Sequence, residues 1–247
     1  SGFPAHKIWV VPLGVEASSF SPTSASQKQD IRARLGISAD ERVVLNVGAG
    51  TFNKGLDLVL RAFAEQTSAW GQPWRKHRLV IKGLDTIYGN AISNIAKLAD
   101  VQGPLSALLD QQRLLYIGTD LSDAQMDELY RLADTYLTPY RAEGFNIPAL
   151  EAAARGLQVI ATEGGSTDDF LHCFDNAQAL ASSPGVLPQG LAYLEPNYAQ
   201  LVSRLQASAY APWQGASTDQ SEQRFRFSWN AVSHQLSQRL LGFPHHG

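Results

Sequence analysis

The stretch from 140 to 156, YRAEGFNIPALEAAARG, decides which fold and which kind of site this chain is expected to have. Glu143 stands in a short loop, and Asn146 and Pro148 are typical of a helix N-cap and first turn. Glu151 is five residues after Asn146 and therefore lies in the second turn of that helix, because one turn takes about 3.6 residues. The stretch therefore predicts a loop-to-helix junction with a carboxylate on each side of it.

On both sides of this junction, short apolar runs alternate with helical patterns. Strands are predicted at 42–47, 78–83, 113–118, 135–139 and 157–165, with a further short strand at 190–196. Helices are predicted at 55–66, 91–98, 122–134, 147–156, 197–206 and 223–243, and an irregular insertion at 172–190. Because the strands are nearly all apolar, this order predicts an α/β fold with a doubly wound parallel sheet and helices on both faces. Ligands bind such sheets beyond the carboxyl ends of the strands.

The composition argues against two classes of protein. The charged share of 17% and the net charge of −3 leave no basic stripe for a nucleic acid. No apolar run approaches about 18 residues, so no membrane span is predicted. Cys173 is the only cysteine in the sequence, which fits a reducing compartment, and we expect the protein in the cytoplasm. A small buried apolar role for Cys173 is favoured over a reactive thiol.

No metal site is expected. The sequence has no Asp-x-Asp motif that would hold a metal-bound diphosphate. Its histidines show no metal-ligand spacing. They stand at positions 6, 77, 172, 234, 245 and 246.

The segment 48–55, GAGTFNKG, follows the first predicted strand as nucleotide-binding loops do. A dinucleotide fingerprint needs a small residue where Asn53 stands and an acid at the end of the second strand, and neither is found. A Walker loop is excluded because Leu56, not a lysine, follows the last glycine. What remains is a turn at Gly50 that admits a ligand, followed by Lys54 at a helix N-terminus. This pair predicts a phosphate site; the alternative is a solvated lysine at a helix start.

The two glutamates have chemically different surroundings. Glu151, on the helix, can accept two hydrogen bonds from neighbouring hydroxyls such as a ribose diol. Glu143, on the loop, can face sugar hydroxyls or a developing positive charge. The alternative is that Glu151 only complements the helix dipole and Glu143 is solvated. Backbone amides between the two glutamates are expected to point into the crevice; they belong to Gly144, Phe145, Asn146 and Ile147.

The segment 143–165, EGFNIPALEAAARGLQVIATEGG, resembles the signature of retaining glycosyltransferases of the GT-B fold, family four, usually written EGFGLPxLEAMAxGxPVIA. The two spaced glutamates are the hallmark of that family. Other segments resemble the family's interdomain linker, diphosphate-binding segment, base-binding segment and C-terminal helices; they are 6–16, 47–63, 114–134, 190–205 and 226–236. The resemblance implies the Rossmann-like, nucleotide-sugar-binding half of a GT-B enzyme.

The resemblance also implies a role for each candidate residue. Lys54 matches the lysine that contacts the donor diphosphate, Glu143 the glutamate near the donor sugar, and Glu151 the ribose-binding glutamate. The loop around sugar and phosphate is matched by Gly144, Phe145, Asn146 and Ile147. The loop beside the base is matched by residues 117–121, among them Ile117, Gly118 and Leu121.

Two departures from the family pattern matter. The family often has an arginine five residues before the lysine, where this chain has Ala49, and Lys82 or Arg141 can supply the missing charge. The second departure concerns the domains. By this resemblance, residues 1–16 are the interdomain linker and entry strand, and residues 17–247 are the donor-binding domain. The N-terminal, acceptor-binding half of the enzyme is then expected to be missing, so this chain alone is expected to be inactive.

The expected function is donor binding in a hexosyltransferase that moves a sugar from a nucleoside diphosphate to an acceptor hydroxyl, without a metal or another cofactor. One alternative is a non-catalytic sugar-nucleotide-binding module. Another is a different GT-B-like enzyme, such as a sugar-nucleotide epimerase or a phosphorylase. The second glutamate argues against the phosphorylase, because inorganic phosphate needs no ribose contact.

Overall fold

The computed structural model describes residues 4, 8–21, 23–69, 76–210 and 225–241. The strands are β1 Arg42–Val47, β2 His77–Lys82, β3 Leu114–Ile117, β4 Thr135–Thr138, β5 Gln158–Thr162, β6 Ala177–Leu180, β7 Ser182–Val186 and β8 Ala192–Pro196. The helices are α1 Ala25–Arg34, α2 Leu56–Ala69, α3 Asp85–Tyr88, α4 Ala91–Ile95, α5 Ala99–Asp110, α6 Asp123–Leu132, α7 Ile147–Ala154, α8 Tyr198–Tyr210 and α9 Trp229–Leu241. A short 3-10 turn, Phe52–Lys54, precedes α2.

The strands β1 to β6 form one parallel sheet in the order β3-β2-β1-β4-β5-β6. This confirms the doubly wound α/β prediction. The chain runs outward from β1 to β3 and then returns to place β4 beside β1, so the direction of winding reverses between β1 and β4. In such sheets this reversal opens a crevice at the carboxyl ends of the two central strands.

Side chains of the central strands alternate between two apolar clusters, one on each face of the sheet. Val43 and Leu45 belong to the cluster that also contains residues of α1, α6 and α7. Val44, between them, belongs to the cluster that contains residues of α2, α4, α5 and α8. Burial on both faces explains why three consecutive residues of β1, Val43, Val44 and Leu45, are apolar.

Local capping signals set the start of several helices. Ser122 and Gln125 form the reciprocal capping box that their spacing predicts at the start of α6. Asn146 caps α7 as predicted, with a left-handed backbone, and its side-chain oxygen accepts a hydrogen bond from the Ala149 amide. The Asn197 side chain, just before α8, accepts a hydrogen bond from the Gln200 amide.

Three sequence-based predictions are corrected. The segment 172–190 is not an irregular insertion, because it contains β6 at the sheet edge and β7. The helix predicted at 91–98 ends at Ile95, and the longer α5 begins at Ala99. The helix predicted at 223–243 begins only at Trp229, and its outermost predicted residues lie outside the described residues. The short strand predicted at 190–196 is confirmed as β8, which pairs with β7 in an antiparallel hairpin.

The segment before the sheet is tied to the start of α9. The Val15 amide donates to the Phe227 carbonyl at 2.8 Å, and the Trp229 amide donates to the Val15 carbonyl at 3.0 Å. Close contact with the Trp229 ring leaves no room for a Cβ at Gly14. The two distant ends of the described chain therefore meet beside the sheet. Among the described helices, none is long and apolar enough to cross a membrane.

Candidate functional site

The loops that follow β1 and β4 lie side by side at the reversal of the winding. The amides of Arg141 and Ala142 both donate to the Asn53 carbonyl, at 2.7 and 3.2 Å. Gly55 has a positive φ of 67°, and a Cβ there would overlap the Pro139 carbonyl oxygen. Glycine is therefore required where the two loops are closest.

Lys54 and Glu143 meet across these two loops. The Lys54 ammonium donates to Glu143 Oε1 in a partly buried ion pair. The other oxygen of Glu143 accepts a hydrogen bond from the Gly144 amide at 3.3 Å. In this arrangement each of the two charges faces the other.

A cavity of about 810 Å³ opens beside this ion pair. Its volume lies in the range of roughly 300–1,000 Å³ that is usual for sites of small ligands. The cavity is lined by Val10, Val11, Pro12, Leu13, Lys54, Glu143, Gly144, Phe145, Asn146, Ile147, Pro148, Asp169, Arg226, Phe227 and Gln235. All four loop residues predicted between the glutamates therefore line the same cavity as the ion pair.

Glu151 is not among the residues that line this cavity. It is half-buried on α7, where its Oε2 accepts a hydrogen bond of 2.7 Å from the Tyr130 phenol. Burial raises the pKa of Tyr130 well above its ordinary value, so the phenol remains a donor. The two glutamates therefore have distinct environments, one beside a cation in the cavity and one beside a buried phenol.

Gly50 and Lys82 both contact other parts of the protein and lie away from the cavity. A Cβ on Gly50 would overlap the backbone of Ala91, so the glycine allows the loop after β1 to contact the start of α4. Lys82 is only 2% exposed, and its ammonium donates to the carbonyl oxygen of the neighbouring Gly83. Neither residue lines the cavity beside Lys54.

Arg141, the other candidate for the missing charge, is also occupied. Its side chain is 5% exposed, and the guanidinium makes two hydrogen bonds of 2.8 Å to Asp57 and one of 3.0 Å to Glu195. Burial acts to lower the pKa of Arg141, but the bonds to Asp57 and Glu195 raise it overall. The guanidinium also lies 4.2 Å from the ring centroid of Phe52. Arg141 therefore joins the two central loops to the β7–β8 hairpin.

The loop expected beside the base follows β3. Ile117 and Leu121 are partly buried and pack against the core. A Cβ on Gly118 would overlap the Asp85 carboxylate, which accepts a hydrogen bond from the Tyr116 phenol. Burial, and then the bond to Asp85, raises the pKa of Tyr116 to about 12. These contacts join the loops that follow β2 and β3, outside the cavity described above.

Several lining residues of the cavity were not assigned to a site from the sequence. Asp169 and Arg226 bring further charges, and Gln235 and the segment 10–13 complete the wall. Arg226 and Gln235 lie within the segment 226–236 that resembles the family's C-terminal helices, but no role was assigned to either residue. Tyr130 was detectable, because it stands within the segment 114–134 that resembles the family's base-binding part.

Among the described residues, no three histidine, cysteine, aspartate or glutamate side chains cluster as metal ligands would. His6, His245 and His246 lie outside the described residues. Cys173 is buried, and burial raises the pKa of its thiol, in keeping with a small apolar role.

Comparison with known proteins identifies relatives of the chain. The model of the family described as glycosyl transferases group 1 matches residues 27–184. A D-inositol 3-phosphate glycosyltransferase of Kineococcus radiotolerans is 36% identical over 164 residues, which are 66% of this chain and 36% of that protein. A mannosylfructose-phosphate synthase of Agrobacterium fabrum is 27% identical over 66% of this chain and 34% of its own length. The chain thus matches about a third of the length of these curated relatives.

Among solved structures, Anabaena HepE in complex with UDP and glucose has a TM-score of 0.69 to this chain at 17% identity. The alignment covers 98% of this chain and 59% of that one. At this level of identity the likeness shows the fold and nothing finer. The shared fold is that of GT-B glycosyltransferases.

Proposed function

Because the chain belongs to the glycosyl transferases group 1 family, we propose that it is the part of a retaining glycosyltransferase that binds a nucleoside-diphosphate sugar. The enzyme would transfer a hexose from this donor to an acceptor hydroxyl, and we expect it to do so in the cytoplasm. The observation that carries the proposal is the meeting of Lys54 and Glu143 at the reversal of the sheet winding. The structure solved with UDP and glucose has a related fold and supports the choice of ligand class.

The diphosphate would bind to the positive groups of the site. Lys54 supplies a full positive charge, and the N-terminus of α7 supplies aligned amides and the positive end of a helix dipole. Both groups would stabilise the negative charge that develops on the departing nucleoside diphosphate. Arg141 and Lys82 are not assigned to this role, because both are buried and neither lines the cavity beside Lys54.

The sugar would lie beside Glu143. Its carboxylate is held by Lys54 and by the Gly144 amide, so its position is set before a ligand arrives. A fixed negative charge at this place would stabilise an oxocarbenium-like centre or orient the sugar hydroxyls. We further propose that Glu151 binds the ribose and that the loop containing Ile117, Gly118 and Leu121 lies near the base.

An acceptor-binding domain is proposed to cover the open side of the cavity. The chain covers 59% of the similar HepE chain, and apolar side chains stand exposed on both segments that flank the cavity. Val10 is 78% exposed and Leu241 is 85% exposed. We propose that residues 1–16 belong to the linker between the domains and that residues 17–247 form the donor-binding domain, which transfers no sugar by itself.

Calorimetric titration of the chain with UDP, GDP and ADP tests donor binding. Binding of at least one of these ligands, with no turnover of its hexose conjugates by the chain alone, is expected. If the chain binds none of the three ligands, the donor-binding proposal is overturned. Sugar transfer by the chain alone would overturn the need for a second domain. Binding in the absence of any transfer by the full-length protein would instead favour a non-catalytic sugar-nucleotide-binding module.

A further inference from the structure

Tyr130 gives Glu151 a fixed partner inside the protein. The phenol belongs to α6, is buried, and donates to Glu151 Oε2 on α7 over 2.7 Å. A buried phenol with a raised pKa stays protonated, so it can serve the carboxylate only as a donor. One oxygen of Glu151 is therefore engaged by the protein, and Oε1 is the oxygen left for a ligand.

The phenol is itself held in place by Arg155. The Arg155 guanidinium lies 4.9 Å from the centroid of the Tyr130 ring. It donates from Nε to Asp127 on α6 over 3.0 Å and from Nη1 to the Glu151 carbonyl over 3.1 Å. The same arginine thus contacts the Tyr130 ring and the backbone of Glu151, and its bond to Asp127 joins α6 to α7. A side chain held in this way loses little further conformational freedom when it binds a ligand.

We propose that Tyr130 is a positioning residue that holds the Glu151 carboxylate so that Oε1 faces the ribose diol of the donor nucleotide. The inference rests on the proposed function, because it assigns the ribose to Glu151. An oxygen with two free lone pairs can accept one hydrogen bond from each hydroxyl of a vicinal diol. Loss of the phenol therefore weakens recognition of the diol and leaves recognition of the base and phosphates unchanged.

Comparing ligands with and without the diol separates a positioning role of Tyr130 from a general effect on the stability of the protein. The chain is titrated with UDP, GDP and ADP, and then with the 2′,3′-dideoxy form of whichever of these binds most tightly. The test variant is Tyr130→Phe, which keeps the buried ring and removes only the hydroxyl. Tyr136→Phe is the matched control, because Tyr136 is also fully buried and its hydroxyl faces the Val47 carbonyl at 3.3 Å.

Wild-type protein is expected to bind the dideoxy form roughly tenfold or more weakly than the ribonucleotide, as for two hydrogen bonds to a charged group. Tyr130→Phe is expected to weaken ribonucleotide binding roughly three- to tenfold and dideoxynucleotide binding by less than about twofold. In a Glu151→Gln background, Tyr130→Phe should cause little further loss, because the two residues act on one contact. Tyr136→Phe should show no selectivity between the ligands.

Equal losses for both ligands in Tyr130→Phe would overturn the positioning role and leave donor binding intact. If Tyr130→Phe does not fold, equal affinity of the wild type for the two forms would still overturn the proposal, because no diol would then be recognised. Failure of the wild type to bind any of the three diphosphates would instead count against the proposed function from which the inference starts.

Discussion

Lys54 and Glu143 form an ion pair although 89 residues separate them along the chain. The pair joins the loops that follow β1 and β4, and each side chain offsets the charge of the other. A diphosphate would therefore have to share Lys54 with Glu143. If the chain binds a nucleoside diphosphate as proposed, Lys54 would attract the phosphates, and Glu143 would compete with them for Lys54.

Lys54→Ala should weaken binding of a nucleoside diphosphate far more than binding of the nucleoside. A hydrogen bond to a charged group is worth roughly 1.5–3 kcal/mol, which is about 10- to 100-fold in dissociation constant. Calorimetric titration of both ligands measures the difference. Lys97→Ala is the control, because Lys97 is exposed and lies outside the cavity. Equal losses for diphosphate and nucleoside would remove the phosphate role of Lys54.

Arg141→Gln should lower the free energy of unfolding, and we expect no selective loss of diphosphate binding. The substitution leaves the buried Asp57 carboxylate without its bidentate partner, and breaking a buried pair costs about 3–5 kcal/mol. Urea unfolding measures this loss. Glu195→Gln is the control and should cost no more than about 1 kcal/mol, because the Glu195 side chain is 41% exposed, against 8% for Asp57. Unchanged stability together with a selective loss of diphosphate binding would show instead that Arg141 contacts phosphate.

The sequence predicts those parts of this molecule whose signals are local. The apolar run of β1 and the capping box at Ser122 lie within a few residues, and both predictions are confirmed. β6 was missed because AQAL has no β-branched residue, and this edge strand forms through its pairing with β5. The role of Arg141 was equally hidden, because its partner Glu195 lies 54 residues away. The pairing of Tyr130 with Glu151 depends in the same way on how α6 packs beside α7.

Asp134 should make the stability of the chain sensitive to acid. Burial acts to raise the pKa of its carboxyl, but the charges of Lys28 and Arg32, at 2.9 and 2.6 Å, lower it overall. A carboxyl with a lowered folded pKa contributes stability above its unfolded pKa of about 4 and loses it as the pH falls through the folded value. Asp134→Asn should therefore cost about 3–5 kcal/mol at pH 7, and less as the pH falls below about 4.

Urea unfolding of wild type and Asp134→Asn at pH 7, 5 and 3 measures that convergence. Asp40→Asn is the control: its carboxylate pairs with Lys76 on the exposed surface, so little change is expected. A difference between wild type and Asp134→Asn that stays constant from pH 7 to pH 3 would contradict the assignment.

Binding of nucleoside diphosphates should not depend on a divalent metal. The sequence lacks an Asp-x-Asp motif, and Lys54 and the N-terminus of α7 are proposed to neutralise the diphosphate. Titrations in excess EDTA and in magnesium should give the same dissociation constant. A tenfold loss on chelation would reveal a metal contribution.

The two glutamates should separate by function. Glu151→Gln keeps the size of the side chain but weakens acceptance from ribose hydroxyls, so it should weaken nucleoside diphosphate binding by about 1–3 kcal/mol, with or without an attached sugar. Glu143→Gln should not weaken free nucleoside diphosphate binding, because it removes the competing partner of Lys54. Its effect should appear in binding of the sugar nucleotide, and in the full-length enzyme mainly as a lower kcat, as for an interaction that is stronger in the transition state.

Four titrations, of the two variants with the free diphosphate and with its hexose conjugate, decide between this division and a structural role for both residues. The ion pair makes the expected pattern asymmetric: Glu143→Gln frees Lys54, whereas Glu151→Gln leaves the Lys54–Glu143 pair intact. Equal losses of affinity in both variants for both ligands would mean that neither carboxylate contacts a separate part of the donor. Glu151 would then only complement the α7 dipole and accept from Tyr130, and Glu143 would only join two loops.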